Sequence, residues 1–343
     1  METGAHNIDT AKLAAYLEGK VAGIQGPLTL EKFSGGQSNP TFLIKSQSGN
    51  YVLRCQPPGV LLVSAHAVDR EYRVLSALSG TDVPVPHPYH LCEDRGLIGS
   101  MFYVMSFEHG RIFWDPALPE LSREQRGPIF EEVVRVLAAL HSVDIEKTGL
   151  GDFGKRGNYF ERQIAVWTKQ YRAAATGKLD AMETLIERLP TLVPADDGQL
   201  SLIHGDYRLD NLIFHPSMPR IQAVLDWELS TLGHPLADLA YFCMCLRLPP
   251  GGYIPGLAGR NRDELGIPDE AAIVERYCAS RGIAGITHWH FYLAFSFFRL
   301  AAIAQGVLKR ALDGNASSSK AMEVGKMAGT LAAHAIDLIE TEI

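Results

Sequence analysis

Hydrophobic positions recur along this chain at two different spacings, and the change from one to the other divides it. Residues 8–21 (IDTAKLAAYLEGKV) follow a helical period, with Asp9 or Thr10 able to accept from the first free amides. Short runs then read as strands: 28–34 (LTLEKFS), 41–47 (TFLIKSQ) and 51–56 (YVLRCQ). Ser48-Gly49-Asn50 between the last two signals a hairpin. Residues 57–59 (PPG) break the pattern, and a helix is predicted from about Ser64 to Ser79, with Val68, Tyr72, Leu75 and Leu78 on one face. Residues 83–110 begin too rich in proline for a helix and end in another strand, MFYVMSF. Residues 28–107 therefore predict a mostly antiparallel sheet with one helix.

From Arg123 onward the period is helical: 123–143, 158–176, 180–189, 236–247, about 269–281, 286–312 and 316–340. A strand-loop-strand insert spans 200–226, and the Gly- and Pro-rich 249–259 is an internal loop. The expected fold class is α+β, with a small β-rich N-lobe (1–107), a hinge near 105–110 and a larger α-helical C-lobe (108–343). The stretch from Gly282 to Phe298 lacks Lys, Arg, Asp and Glu, but Thr287, His288, His290 and Ser296 interrupt it and Arg299 closes it. A membrane span needs about 20 mostly apolar residues, so a buried helix is expected and no membrane association.

Composition narrows the class further. With 343 residues, 46% hydrophobic and 21% charged, the chain can bury a sizeable core and is not disordered. A formal net charge of −7 argues against a general nucleic-acid binder, which would carry a basic face. The five cysteines are odd in number and lack paired spacing, which fits reduced thiols and a cytoplasmic location. Cys243 and Cys245 fit alternate burial on an apolar helix better than metal binding. METGAHNIDT does not have the basic start and apolar core of a secretory leader.

The chemistry concentrates in residues 202–229, LIHGDYRLDNLIFHPSMPRIQAVLDWEL. Asp206 and Asn211 lie within HGDYRLDN between apolar runs, and a further apolar run, 221–225, delivers Asp226 at its end. A carboxylate can accept the proton of a hydroxyl nucleophile, while an amide oxygen and a second carboxylate can hold hard cations. Cations so held bridge and neutralise nucleotide phosphates, so the set points to phosphoryl transfer. Asp and Asn also serve as turn and capping residues; three of them at this spacing, each after an apolar run, favour the site. Upstream, SGGQSN (34–39) offers a turn in which Gly35 and Gly36 would let backbone amides approach phosphates, with hydroxyls from Ser34 and Ser38. GxGxxG and GxxxxGK[ST] loops are both absent. In YVLRCQ, alternation sets Val52 and Arg54 on one face, so Arg54 can reach anionic phosphates, and Glu71 on the next helix can pair with it. No HExxH, Cys/His cluster or GxSxG supports zinc or serine-hydrolase chemistry.

HGDYRLDN followed by LDWE resembles the catalytic segments of the aminoglycoside phosphotransferase and choline-kinase-like family, relatives of protein kinases. The longer DWELSTLGHPLADLAY is most similar to the branch attached to acyl-CoA dehydrogenases. The resemblance implies a protein-kinase-like two-lobe fold with ATP and Mg²⁺ as cofactors. It implies Asp206 as the catalytic base, Asn211 and Asp226 as magnesium ligands, and Arg54 where the family usually has a lysine, with Glu71 as its helix partner. Met105, Ser106, Phe107 and Glu108 resemble the hinge that receives adenine. His204 is implied to brace the catalytic loop and Asp238 to anchor it. Arginine at 54 departs from the family pattern, because a guanidinium is not interchangeable with an ammonium.

The expected activity is ATP- and Mg²⁺-dependent phosphotransfer to a small-molecule hydroxyl. Residues 286–326 carry Arg299, Lys309, Arg310, Lys320 and Lys326 against Asp313 and Glu323. Residues 152–172 carry Lys155, Arg156, Arg162, Lys169 and Arg172 against Asp152 and Glu161, and Arg208 lies in the catalytic segment. That surplus favours an anionic acceptor; combined with the resemblance to the branch attached to acyl-CoA dehydrogenases, it implies a hydroxyacyl-CoA as the leading acceptor. The alternatives are an aminoglycoside or choline-like kinase, and a catalytically silent nucleotide-binding or scaffold protein of the same fold.

Overall fold

Asp9 sets the start of the first helix, α1 (Thr10–Leu17), by accepting from the Ala11 and Lys12 amides at 3.0 Å each. The structure, a computed structural model, describes residues 8–33, 39–57, 67–314 and 321–341. Strands β1 (Thr29–Lys32), β2 (Thr41–Ser46) and β3 (Gly49–Cys55) follow, then helix α2 (Val68–Leu78) and strands β4 (Pro88–Cys92) and β5 (Phe102–Ser106). All pair antiparallel in the order β1-β2-β3-β5-β4. Leu13 and Leu17 of α1 share one core cluster with Phe42, Ile44, Leu53 and Phe102 of the sheet. Val74, Leu75 and Leu78 are the buried stripe of α2.

Two details of this sheet differ from expectation. The hairpin turn is Gln47-Ser48, one step earlier than Ser48-Gly49-Asn50, because Ser46 and Gly49 already pair and Gly49 adopts φ +143° inside the strand. Strand β4 was not foreseen in the proline-rich stretch. It lies at the sheet edge, where Pro88 gives up no ladder bond that a neighbour needs, and its register slips between Pro88 and His90.

The helices come next: α3 (Arg123–His141), begun by a Ser122–Gln125 capping box, α4 (Tyr159–Ala173) and α5 (Asp180–Arg188). The expected strand-loop-strand insert is more elaborate. Strand β6 (Ser201–Ile203) pairs with β9 (Thr231–Gly233), and between them β7 (Leu212–Phe214) pairs with β8 (Ile221–Val224). Helices α6 (Leu236–Leu246), α7 (Arg262–Leu265), α8 (Glu270–Arg281) and α9 (Trp289–Leu312) follow. The last expected helix is two, α10 (Ala321–Lys326) and α11 (Ala328–Thr341), with residues 316–320 outside the described residues. Gly325 lets α10 close on α9, where an added Cβ would lie 2.4 Å from Leu308 Cβ, and the chain turns at Met327. Helix α9 is long and apolar enough to cross a membrane, but 72% of that stretch is buried inside the fold, as a core helix would be.

Contacts group the described residues into two units. One comprises Met1–Ile112, Lys147–Leu150 and Asn211–Ser230; the other comprises Phe113–Glu146, Gly151–Asp210 and Thr231–Ile343. The β7–β8 hairpin, which carries Asn211 and Asp226, thus belongs with the five-stranded sheet, and Asp206 belongs with the helices.

Candidate active site

In the sheet unit, strand alternation turns the Arg54 side chain away from Leu53 and Cys55, and only 11% of it is exposed. Its guanidinium meets three carboxylates: Glu71 Oε2 is 2.8 Å from Nε, Asp226 Oδ1 is 2.6 Å from Nη2, and Glu228 Oε2 is 3.9 Å away. Nη1 also donates to Thr41 Oγ1 at 3.5 Å. Burial lowers the Arg54 pKa, but Glu71, Tyr103, Asp226 and Glu228 outweigh it and raise the pKa. Glu71, 1% exposed, accepts further from Asn39 Nδ2 at 2.8 Å and Tyr103 hydroxyl at 3.1 Å. Its burial pushes its own pKa up, while Arg54 pulls it back down. Arg54 was expected to reach phosphates with Glu71 as its partner; the Glu71 pairing is present, and Asp226 shares the same guanidinium.

Asn211 and Asp226 leave the same end of the β7–β8 hairpin. Leu212 pairs with Val224, and beyond them the Leu225 amide donates to the Asn211 carbonyl at 2.8 Å. Asp226 sits at φ 64°, ψ 61°, a left-handed conformation that costs a non-glycine residue of order 1–3 kcal/mol. Its side chain is 36% exposed and otherwise held by Arg54. Trp227 locks the following turn by donating Nε1–H to the Val224 carbonyl at 3.0 Å.

Met105 is buried at the end of β5, and the backbone beyond it is tied down. Ser106 N–H donates to the His87 carbonyl at 2.9 Å, His87 N–H to Ser106 Oγ at 2.8 Å, and Ser106 Oγ to Glu108. Phe107 lies parallel to Phe33, with centroids 6.5 Å apart and planes 9° from parallel. Ser34, Gly35, Gly36 and Ser38 lie outside the described residues.

In the helical unit, Asp206 accepts the Tyr241 hydroxyl at Oδ1, 2.7 Å away. The loop carrying it is gripped by Asp238 of α6, 1% exposed, which accepts the His204 amide at 2.6 Å and the Gly205 amide at 2.8 Å. Gly205 takes φ +83°, which a side chain would strain. His204 Nδ1 receives the Asp206 amide at 3.1 Å, the bracing role the sequence resemblance implied. His141 Nε2 lies 3.3 Å from Asp238, and its Nδ1 lies 2.7 Å from the Tyr277 hydroxyl. Burial raises the Asp238 pKa, but the bond and charge of His141 and the His204 amide outweigh it and hold the group below the usual aspartate range.

The structure therefore brings Arg54, Glu71 and Asp226 into contact and sets Asn211 beside Asp226. Sequence reasoning missed Asn39 and Tyr103, which hold Glu71, and Tyr241, which holds Asp206. A signal existed for two of them: Asn39 ends the run SGGQSN, and Tyr241 falls three positions after Asp238 in LADLAY. Among the described residues no group of three or more His, Cys, Asp or Glu side chains forms a metal cluster; the expected set is one amide and one carboxylate.

The Arg54 fork predicts a stability effect. Arg54→Ala leaves Glu71 buried without its counter-charge and is expected to cost about 3–5 kcal/mol. Arg54→Lys, which can meet one carboxylate but not both, is expected to cost roughly 1–3 kcal/mol. Thermal melts of the two variants check the order; equal stability with the parent chain would show that the fork contributes nothing.

Comparison with known proteins gives this arrangement its context. The sequence profile of the phosphotransferase enzyme family, APH, matches residues 29–286. Mouse acyl-CoA dehydrogenase family member 10 is 48% identical over 334 residues, 96% of this chain but 31% of that protein. Human acyl-CoA dehydrogenase family member 11 is 44% identical over 91% of this chain and 41% of its own length. The chain thus spans well under half of these relatives. A crystal structure from Ralstonia eutropha JMP134, named a "putative aminoglycoside phosphotransferase", is 48% identical with a TM-score of 0.90, covering 98% of this chain and 99% of that one. Choline kinase from Cryptosporidium parvum Iowa II, at 12% identity and TM-score 0.64, shares the fold over 97% of this chain and 96% of its own. So does an aminoglycoside phosphotransferase in ternary complex with ADP and hygromycin B, at 13% identity and TM-score 0.63, covering 96% and 98%. The α+β architecture is the kinase-like fold of these neighbours, and the chain belongs to the APH phosphotransferase enzyme family.

Proposed function

We propose that this chain transfers a phosphoryl group from ATP, with Mg²⁺, to the hydroxyl of a small anionic molecule. The observation that carries the reading is the Asp226 carboxylate, in a left-handed backbone conformation and oriented by Arg54, which Glu71 holds in turn. Backbone strain kept in place by a dedicated ion pair is a mark of function.

The side chains present suit the cofactors. Asn211 and Asp226 offer oxygen donors only, the preference of a hard cation, and Asp226 is open enough to solvent to be reached. Magnesium held there would neutralise phosphate charge. Arg54 orients Asp226, and the parallel rings of Phe33 and Phe107 offer a flat apolar surface to a nucleobase. Asp206 would accept the proton of the acceptor hydroxyl as the nucleophile attacks. Residues 1–107 would serve the nucleotide, and 108–343 would carry the catalytic loop, with Asn211 and Asp226 on the metal, and the acceptor site.

The acceptor class rests more on relatives than on charge. Much of the positive surplus is spent within the protein: Lys309 pairs with Asp313 at 2.6 Å, Arg172 with Glu183 at 2.8 Å, and Arg156 with Glu146. Lys320 lies outside the described residues. The names of the relatives, acyl-CoA dehydrogenase family members, support a hydroxyacyl-CoA acceptor. One observation favours a second reading, a nucleotide-binding protein without transfer activity: Arg54 sits 2.6 Å from the carboxylate a metal would need. A screen of hydroxyacyl-CoAs, amino sugars and choline-like alcohols with ATP and Mg²⁺ separates these, with phosphorylated product followed by mass. A hydroxyacyl-CoA hit is expected. Product from amino sugars alone would overturn the anionic acceptor, and nucleotide binding with neither product nor ATP hydrolysis would favour the silent reading.

A further inference from the structure

Helix α6 takes hold of the Asp206 loop twice from one face. Asp238 accepts the His204 and Gly205 amides, and Tyr241, three residues on and so on the same side of the helix, donates its hydroxyl to Asp206 Oδ1 at 2.7 Å. Tyr241 is 4% exposed, and a buried phenol needs a partner. Burial and the charge of Asp206 push its pKa well above the ordinary tyrosine value, so it stays protonated and acts as a donor. Arg299 from α9, itself 7% exposed, covers the ring with its guanidinium 5.3 Å from the centroid and donates to the Gly205 carbonyl at 2.7 Å. Arg208 holds the carboxylate more loosely than Tyr241. Arg208 has Nε 3.0 Å from Oδ1, and its Nη2 donates to Oδ2 at 3.4 Å. The short, buried hydrogen bond is therefore on Oδ1.

We infer that Tyr241 is a positioning residue for phosphoryl transfer, its hydroxyl fixing the rotation of the Asp206 carboxylate so that one defined oxygen faces the acceptor hydroxyl. This rests on Asp206 acting as the base. No bond forms or breaks at Tyr241: its proton stays on the phenol, and Asp206 takes up the acceptor's proton. Arg299 acts one step further back, keeping the ring and the Gly205 carbonyl in register.

The test is a double-mutant cycle with Tyr241→Phe and Asp206→Asn. Tyr241→Phe keeps the ring, its packing and the Arg299 stack, and removes one oxygen. The probes are Mg–ATP hydrolysis and transfer to 3-hydroxybutyryl-CoA. Tyr241→Phe is expected to lower kcat about tenfold, a fraction of the general-base effect it supports, with KM for ATP changed by less than about twofold. In the Asp206→Asn background the same substitution is expected to change the residual rate less than about twofold, because the group it orients is gone. A purely structural role would instead lower kcat in both backgrounds and shift KM with it. Equal losses in both backgrounds, or a parental kcat for Tyr241→Phe, overturn the inference. Should Tyr241→Phe lower the Tm enough to cloud kcat, 3-fluorotyrosine at position 241 keeps the shape and changes the hydroxyl's acidity; kcat unchanged by it also overturns the inference. An Asp206→Asn variant as fast as the parent chain, or a parent chain with no turnover, would sink the phosphotransfer reading and this inference together. An impaired Asp206→Asn beside an unimpaired Tyr241→Phe would sink the inference alone.

Discussion

Asp206→Asn is expected to slow phosphate transfer roughly 10²–10⁴-fold while leaving ATP affinity within about twofold, the usual size of a general-base contribution. The substitution preserves shape and removes the ability to take up a proton. The Tyr241 hydroxyl can still donate to the amide oxygen, so the loop should keep its geometry and the loss falls on chemistry. ATP affinity should hold because the groups assigned to the nucleotide, Arg54, Glu71 and Asp226, belong to the other unit. Single-turnover rates beside a nucleotide titration separate the two quantities. A variant that transfers as fast as the parent would remove the base, and a variant that no longer binds ATP would show that the substitution has done more than remove a proton acceptor.

Asp238→Asn is expected to be the most damaging single-atom exchange in the helical unit. Both carboxylate oxygens accept buried hydrogen bonds, Oδ2 from the His204 amide and Oδ1 from the Gly205 amide. Asparagine must turn its NH₂ toward one of them, leaving a donor facing a donor at a side chain only 1% exposed. Breaking one side of such a buried charged network costs about 3–5 kcal/mol, for a fall in Tm on the order of 5–10 °C. Transfer should fall about 10²-fold as well, the consequence of shifting a reacting group by near 1 Å.

The same carboxylate gives the loss a pH signature. Its pKa is depressed in the folded chain, so its stabilisation is fully present above the ordinary aspartate pKa and fades as pH falls through the folded value. The Tm gap between parent and Asp238→Asn should therefore be constant near neutrality and narrow on acidification below about pH 4. A gap that held constant down to pH 2 would show that Asp238 is not ionised in the fold.

Several parts of this arrangement were legible because they are local. The run 202–229 alternates apolar stretches with Asp206, Asn211 and Asp226, so both the strand edges and the polar groups at them are visible in one window. The Arg54–Glu71 pair followed from strand alternation and the helix that succeeds it. What was not visible comes from partners remote in sequence. Tyr103 reaches Glu71 from 32 residues away, and Tyr241 reaches Asp206 from 35. Tyr103 carries no local mark that distinguishes it from a core aromatic, and the one mark of Tyr241 is its spacing from Asp238. The hairpin's membership of the sheet unit has the same cause, since linear order cannot say which side a crossing segment joins. Charge counting is a blunt guide for another reason. It registers the sign of Arg299 or Lys309 but not that one points inward to the Gly205 carbonyl and the other is already neutralised by Asp313. Strand β4 hid behind Pro88, whose residue type argues against a strand everywhere except at an edge.

The arginine on β3 has one more consequence. A lysine amine gives up its proton near pH 10 to 11, and a site built on it goes neutral in strongly alkaline solution. The guanidinium here, ringed by Glu71, Asp226 and Glu228, retains its proton beyond that range. The grip on Asp226 is thus insensitive to base, and any alkaline decline in this chain must begin at some other group.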